Sequence, residues 1–300
     1  MSNRMIGVIG LGLLGSALAD RLLESGYDVV GFDTSRDCRD RLQRVGGKPA
    51  ESVAEVAAIC TAATGDGGVS RILLSLPDSL VVRQVLDQLR PLLPSGAVIV
   101  DTTTGSPADA EVRATELAEQ GIGYVDATVV GSSEQARAGQ AVMLVGGDSP
   151  HIAAVQDLLQ ACAMRHDVVG PSGSGARLKL VVNLVLGLNR AALAEGLHLA
   201  RACGLDLERT LEVLQATPAA SCVMETKGLK MIREDFSPQA RLAQHHKDVQ
   251  LILDLARDAG TSLPLSDVHQ RMLQRAMDQG CGLLDNSAII RAWGGLRRES

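Results

Sequence analysis

A doubly wound, mostly parallel α/β sheet followed by an all-helical domain is the architecture this sequence predicts, on three observations. The stretch from Met5 to Asp33 reads as strand, glycine turn, helix, strand and acid. Short apolar runs bounded by Pro and Gly then alternate with amphipathic helical stretches as far as Gly170, the mark of parallel strands joined by helices. Beyond Gly170-Pro171-Ser172-Gly173-Ser174-Gly175 the strand signals stop and only helical patterns remain.

Met5 to Ile9 form the first apolar run, followed by Gly10-Leu11-Gly12-Leu13-Leu14-Gly15 and a helical pattern through Leu18, Leu22 and Leu23 that Gly26 closes. Tyr27 to Phe32 is the second run, ending at Asp33. This is the first unit of a dinucleotide-binding fold: the first glycine permits the tight turn and the second lets backbone approach a pyrophosphate. The third brings helix and strand close, with the helix N-terminus facing the phosphates. Asp33 stands where a carboxylate accepts the adenine-ribose hydroxyls and repels a 2′-phosphate, which favours NAD. Arg36 keeps NADP open, and an ordinary turn or helix-capping acid is the alternative reading of Asp33. Arg4 followed by the apolar stretch Ile6 to Ala19 also has the outline of a secretory signal peptide, but three glycines interrupt it and the following residues complete the unit.

Further strands are expected at Arg71 to Leu76, Ala97 to Val100, Gly123 to Asp126, Ala141 to Val145 and Arg165 to Val169, with helices at Leu80 to Leu93 and Pro107 to Gln120. A long apolar helix is expected from Ala176 to Ala202, then helices broken at Gly204, Pro218, Gly260 to Pro264 and Gly280 to Gly282. The expected division is a dinucleotide-binding domain over 1–170 and an all-helical substrate and dimerisation domain over 171–300. The long helix is too apolar to be solvated on two faces, so a homodimer or homotetramer is expected. Only Arg297-Arg298 resembles a charge block.

With 46% hydrophobic and 21% charged residues, the composition is that of a folded globular enzyme. A net charge of −6 without a basic block argues against nucleic-acid binding. No uninterrupted apolar run approaches the roughly 20 residues of a membrane span, so a soluble cytoplasmic protein is expected, with no membrane partner. The six cysteines form no Cys-x-x-Cys pair and read as reduced buried thiols. His245 and His246 point apart on a helix and have no acidic cluster beside them, so no metal is assigned.

Several motifs together resemble the β-hydroxyacid dehydrogenase family, from Ile6 to about Leu273. They are Gly10 to Gly15, Leu76-Pro77-Asp78, Asp101-Thr102-Thr103-Thr104-Gly105-Ser106-Pro107, Gly173-Ser174-Gly175-Ala176-Arg177-Leu178-Lys179 with Asn183, and Phe236 with Leu242 and His246-Lys247-Asp248-Val249. The resemblance implies an NAD(P)-dependent dehydrogenase or reductase of a small 3-hydroxy acid or its semialdehyde. It implies cofactor contacts from Gly10, Leu11, Gly12, Leu13, Leu14, Gly15, Asp33, Leu76, Pro77, Thr104 and Lys247, and a substrate contact from Thr103. Lys179 would move the hydroxyl proton and Asn183 would hold the reacting oxygen. Four residues apart on a helix, these two share a face, and partial burial suits a lysine to proton transfer near neutrality.

Residues 126–132, Asp126-Ala127-Thr128-Val129-Val130-Gly131-Ser132, depart from the family's pattern. Val130 replaces the serine that binds substrate carboxylate by analogy, leaving the Ser132 and Ser133 hydroxyls and the Gly131 and Ser132 N–H groups for the acid. Val182 likewise replaces the first Asn of the family's Asn-Asn pair. An imine reductase, which resembles this fold, generally lacks a lysine at the Lys179 position. A non-catalytic NAD(P)-binding interaction protein is the other alternative, and Lys179 with Asn183 argues against both.

Overall fold

The structure, a computed structural model, describes residues 4–64 and 68–294; the Arg297-Arg298 pair lies outside the described residues. The chain divides into two compact units, Met1–Lys179 and Leu180–Ser300.

The first unit runs β1 (Met5–Ile9), α1 (Leu13–Glu24), β2 (Asp28–Phe32), α2 (Arg36–Arg44), β3 (Lys48–Pro49), α3 (Val53–Ala63), β4 (Arg71–Leu74) and α4 (Ser79–Leu89). It continues with β5 (Val98–Asp101), α5 (Pro107–Ala118), β6 (Gly123–Val130), α6 (Ser133–Arg137), β7 (Val142–Gly147), α7 (Ser149–Ala154), α8 (Gln156–Cys162) and β8 (Arg165–Gly170). The eight strands lie in the order β3-β2-β1-β4-β5-β6-β7-β8. Every pairing is parallel except β6 with β7. Strands such as Arg71–Leu74 and Val98–Asp101 are buried at every position because helices cover both sheet faces. Ile6, Val8, Leu18 and Leu22 belong to one apolar layer; Ile9, Val30, Leu74 and Ile99 belong to the other. β6 runs four residues beyond its expected end at Asp126, because Val125 to Val130 pair antiparallel with Gly147 to Val142.

The long helix α9 (Ser174–Ala202) crosses the division between the units. Its 29 residues are long and apolar enough to cross a membrane by length and composition alone. A few polar residues spread along the helix interrupt its apolar runs, so length and composition alone do not distinguish it from the core helix of a globular protein. The second unit continues with α10 (Leu207–Gln215), α11 (Cys222–Arg233), α12 (Leu242–Asp258), α13 (Pro264–Asp278) and a 3-10 segment at Asn286–Trp293. The break between α11 and α12 has no glycine to announce it; Glu234 takes the left-handed conformation there, with φ 54°. The expectation of buried thiols holds for Cys60, Cys162 and Cys281, whereas Cys203 and Cys222 are exposed.

Leu193, Ala194 and Leu197 of α9 pack with Leu211, Met231, Leu242, Val249 and Leu273 in the core of the second unit. That core also encloses charge. Lys227 donates to both oxygens of Asp285 at 2.9 and 3.0 Å, and Asp285 further accepts from Gln239 N and Ser287 N. Arg190 is 7% exposed, and its Nε and Nη1 have no hydrogen-bond partner among the described residues. The His269 and His245 rings lie 5.2 Å apart against Gly187, where a Cβ would stand 2.6 Å from His245 Nε2 and 2.7 Å from His269 Cε1.

Burial, reinforced by the Arg190 charge, lowers the pKa of His269 to about 4. A histidine held neutral in the fold contributes stability that is fully present above its ordinary value of about 6.5 and is lost as pH falls through about 4. The wild type should therefore lose about 2–3 kcal/mol more than His269→Leu between pH 7 and pH 4, as read from urea unfolding curves. Equal losses would contradict this origin of acid sensitivity.

Candidate active site

Three loops at the carboxyl ends of β1, β4 and β5 converge where the strand order reverses, the place at which open α/β sheets bind ligands. The glycine turn shows a distinct physical reason at each position. Gly10 has φ +91°, and a Cβ there would overlap Ser75 O and stand 3.1 Å from Leu76 Cδ2. A Cβ on Gly15 would overlap the Gly10 carbonyl, so α1 can lie against the turn only with glycine in its first turn. Gly12 has nothing within 4 Å of the position a Cβ would take, leaving its backbone open to a ligand. The N-terminus of α1 has no side-chain cap and no acid in its first turn, so its N–H groups and positive dipole end suit a phosphate. These features fit a dinucleotide.

Asp33 is half-buried: one carboxylate oxygen accepts from Leu11 N at 2.7 Å and the other from Ser35 N at 2.8 Å. It thus ties the glycine turn to the entry of α2, and each oxygen retains a lone pair for a further donor. Arg36 is exposed, 3.7 Å from Asp40. Arg39 donates to Asp33 O and pairs with Glu51.

The loops after β4 and β5 are joined by Leu76 N, which donates to Thr103 Oγ1 at 3.1 Å. Thr103 is buried and Thr104 half-buried. The Thr103 N–H donates to Asp101 Oδ1 at 2.9 Å, and Tyr124 Oη donates to the other Asp101 oxygen at 2.7 Å. Arg113 lies 3.8 Å away. Burial raises the Asp101 pKa, against the lowering effect of these donors. Asp78 caps α4 by accepting from Val81 N at 2.9 Å.

In the departing segment, Val130 ends β6 half-buried and Gly131 adopts φ +145°. The Ser132 N–H expected for the acid donates instead to Gln135 Oε1 at 2.9 Å, while Ser132 Oγ accepts from Gln135 N at 3.1 Å. This capping box occupies the Ser132 N–H but leaves the hydroxyl proton available as a donor.

Lys179 and Asn183 are each 8% exposed and lie one turn apart on α9. Asn183 Nδ2 donates to Asp248 Oδ2 at 3.0 Å, and Lys247 Nζ lies 3.4 Å from Asp248 Oδ1. The sequence signalled Asn183 and Lys247 but gave no role to the acid between them. Nor did it signal Arg190 and His269, since an isolated Arg or His in a helical pattern reads as a solvated residue. His246, unlike its neighbour against Gly187, lies 3.1 Å from Gln270 Nε2.

The family model described as the NAD binding domain of 6-phosphogluconate dehydrogenase matches residues 5–170. The model described as the NAD-binding of NADP-dependent 3-hydroxyisobutyrate dehydrogenase matches residues 173–293. The chain is 32% identical to 2-(hydroxymethyl)glutarate dehydrogenase of Eubacterium barkeri, over 96% of this chain and 94% of that protein. It is 29% identical to 2-hydroxy-3-oxopropionate reductase of Escherichia coli K12, over 96% of each. The crystal structure of 3-hydroxyisobutyrate dehydrogenase from Salmonella typhimurium superposes with a TM-score of 0.87 at 26% identity, over 96% of this chain and 99% of that one. The chain belongs to the β-hydroxyacid dehydrogenase family, the NAD(P)-dependent dehydrogenases and reductases that act on CH–OH groups.

The glycine turn yields a paired prediction. Gly15→Ala should destabilise the protein by about 1–3 kcal/mol, the usual cost of overpacking a rigid contact, as measured by thermal unfolding. Gly12→Ala, at φ −65° with open space around it, should keep its melting temperature. It should nevertheless weaken cofactor binding about tenfold, equivalent to ~1.4 kcal/mol, by calorimetric titration.

Proposed function

We propose that this chain transfers hydride between NAD and a small 3-hydroxy acid or its semialdehyde, with Lys179 as the general acid/base. The observation that carries this reading is the burial of Lys179 and Asn183, a turn apart on one helix face. An ammonium beside an amide on one helix face suits an oxygen that alternates between hydroxyl and carbonyl. The relatives' names, which specify a (hydroxymethyl) diacid and a hydroxy-oxo acid, support a small acid.

Gly10, Leu11, Gly12, Leu13, Leu14 and Gly15 hold the pyrophosphate end of the cofactor, and Asp33 accepts from the ribose, which favours NAD over NADP. Leu76, Pro77, Thr104 and Lys247 complete the cofactor contacts. The bound nicotinamide supplies or accepts the hydride. Lys179 takes the hydroxyl proton in oxidation and returns it in reduction. Asn183 spends one amide hydrogen on Asp248 and keeps the other to hold the reacting oxygen. Thr103, Gly131 and the Ser132 hydroxyl bind the acid, and Val130 in place of a serine narrows the choice of substrate.

Residues 171–300 act as the substrate and dimerisation domain of a cytoplasmic homo-oligomer. Cytoplasmic location is supported by six unpaired cysteines. Association is supported by the stripe Leu178, Val181, Val185, Leu188 and Ala192 of α9, in which Val181 and Val185 are 52% and 50% exposed. Its three-and-four spacing, which stops at the exposed Glu195, is that of a seam between helices.

Lys179→Ala should lower kcat about 10²–10⁴-fold, the usual contribution of a positioned acid/base, with NAD binding retained in titration. Turnover on a panel of small hydroxy acids is the assay, and a variant with wild-type kcat would sink the reading. Val181→Glu with Val185→Glu should turn the oligomer into a monomer in analytical ultracentrifugation; a monomeric wild type would remove the assembly from the proposal.

A further inference from the structure

Asp126 lies on β6 at 2% exposure, and its carboxylate meets backbone N–H groups rather than a cationic side chain. Oδ1 accepts from Gly173 N at 2.8 Å and Oδ2 from Ala176 N at 2.9 Å. Both donors belong to the entry and first turn of α9, where a helix has no carbonyl of its own to offer them and where its dipole favours a negative charge. Two residues along the same strand, Thr128 Oγ1 donates to Gly175 O at 3.1 Å. Two glycines allow the approach. A Cβ on Gly146 would stand 2.6 Å from Asp126 Oδ1, and one on Gly175 would stand 2.8 Å from Oδ2. Strand and helix turn therefore close on the carboxylate with nothing between them.

Lys179 follows Ala176 by three residues, on the next turn of the same helix. We propose that Asp126 is a positioning residue for Lys179: by gripping the N–H groups on either side of the helix start, it fixes the axial position and rotation of the turn that carries the amine. The inference rests on the proposed role of Lys179. It also gives the segment that departs from the family's pattern a second task, because Asp126 and Thr128 immediately precede the residues proposed to hold the acid.

The grip depends on charge. Both oxygens accept strongly only while the carboxyl is ionised; protonation makes one of them a much weaker acceptor and removes the charge that the helix start favours. Burial pushes this carboxyl up to about 6, incompletely offset by the Gly173 and Ala176 N–H groups, and Asp101 adds to the rise. The other charged groups around it are committed. Asp101, its register partner on β5, is bound by Tyr124 and lies beside Arg113 of α5. Glu111 of α5 pairs with Arg177 of α9, and β7 presents Gly146. The expected result, for reduction, in which Lys179 donates its proton and so gives no acid limb of its own, is a wild-type kcat that falls on the acid side with a midpoint near 6.

Asp126→Asn places an amide NH2 against one of the two N–H donors at every pH. It should lower kcat about 10- to 100-fold, the scale of a small misplacement of a reacting group. It should also leave the KM for NAD unchanged and abolish the acid limb. Thr128→Val loosens the same dock without altering the carboxylate; it should lower kcat less and keep the limb, so it serves as the readout if Asp126→Asn does not fold. A folded Asp126→Asn with wild-type kcat and the acid limb intact would overturn the inference, as would a folded Thr128→Val with wild-type kcat where Asp126→Asn does not fold. In either case a dead Lys179→Ala would leave the role of Lys179 standing. An active Lys179→Ala would bring down both.

Discussion

The contact between the first turn of α1 and the Gly10 carbonyl leaves no room for one methyl group, and the arrangement of the first unit follows from it. Because Gly15 lets the helix lie directly on the turn, the N-terminal N–H groups of α1 are presented at the end of β1, beside the loops that follow β4 and β5. Asp33 then secures the turn from the other side through Leu11 N. The same carboxylate that a dinucleotide site requires is thus also the brace of the glycine turn, so bracing and binding are compatible roles. Interiors packed to crystal-like density transmit such constraints instead of absorbing them.

A different constraint governs α9. Its buried stripe is polar at intervals close to whole turns, with Lys179, Asn183 and Arg190 on one face and Gly187 among them. Burying amide and charge is costly unless partners are supplied. Asp248 supplies one for Asn183, and the missing side chain at Gly187 makes room for two imidazole rings. On the opposite side Val181 and Val185 are exposed, although Leu193, Ala194 and Leu197 further along bury an ordinary apolar stripe. A core helix normally buries its apolar side chains and exposes its polar ones. The buried polar residues and the exposed valines of α9 therefore both point to roles beyond holding one chain together.

Comparison of pattern and structure shows where local sequence suffices. The glycine spacing and the alternation of apolar runs with helical stretches identified β1, α1, β2, β4 to β8 and the helical second half, because each is encoded by neighbours two to four residues apart, whereas the two-residue β3 is too short to show a period. Strand ends were less legible. β6 continues to Val130 because β7 pairs with it, and that partner lies well outside any local window. The end of α11 at Glu234 was hidden for a related reason: a left-handed residue other than glycine is held by its surroundings and gives no compositional signal.

The sequence alone determined the class of fold, the glycine turn with its answering acid, and the lysine and asparagine that share a helix face, since spacing along the chain defines all of them. Tertiary structure decided which groups those residues meet. Ser132 N–H turned to Gln135, Thr103 joined Leu76, Asp248 took up Asn183, and Asp126 gripped a helix start 47 residues further along the chain. Each of these bonds depends on direction and on distances of about 3 Å between atoms remote in sequence. A one-dimensional pattern carries neither.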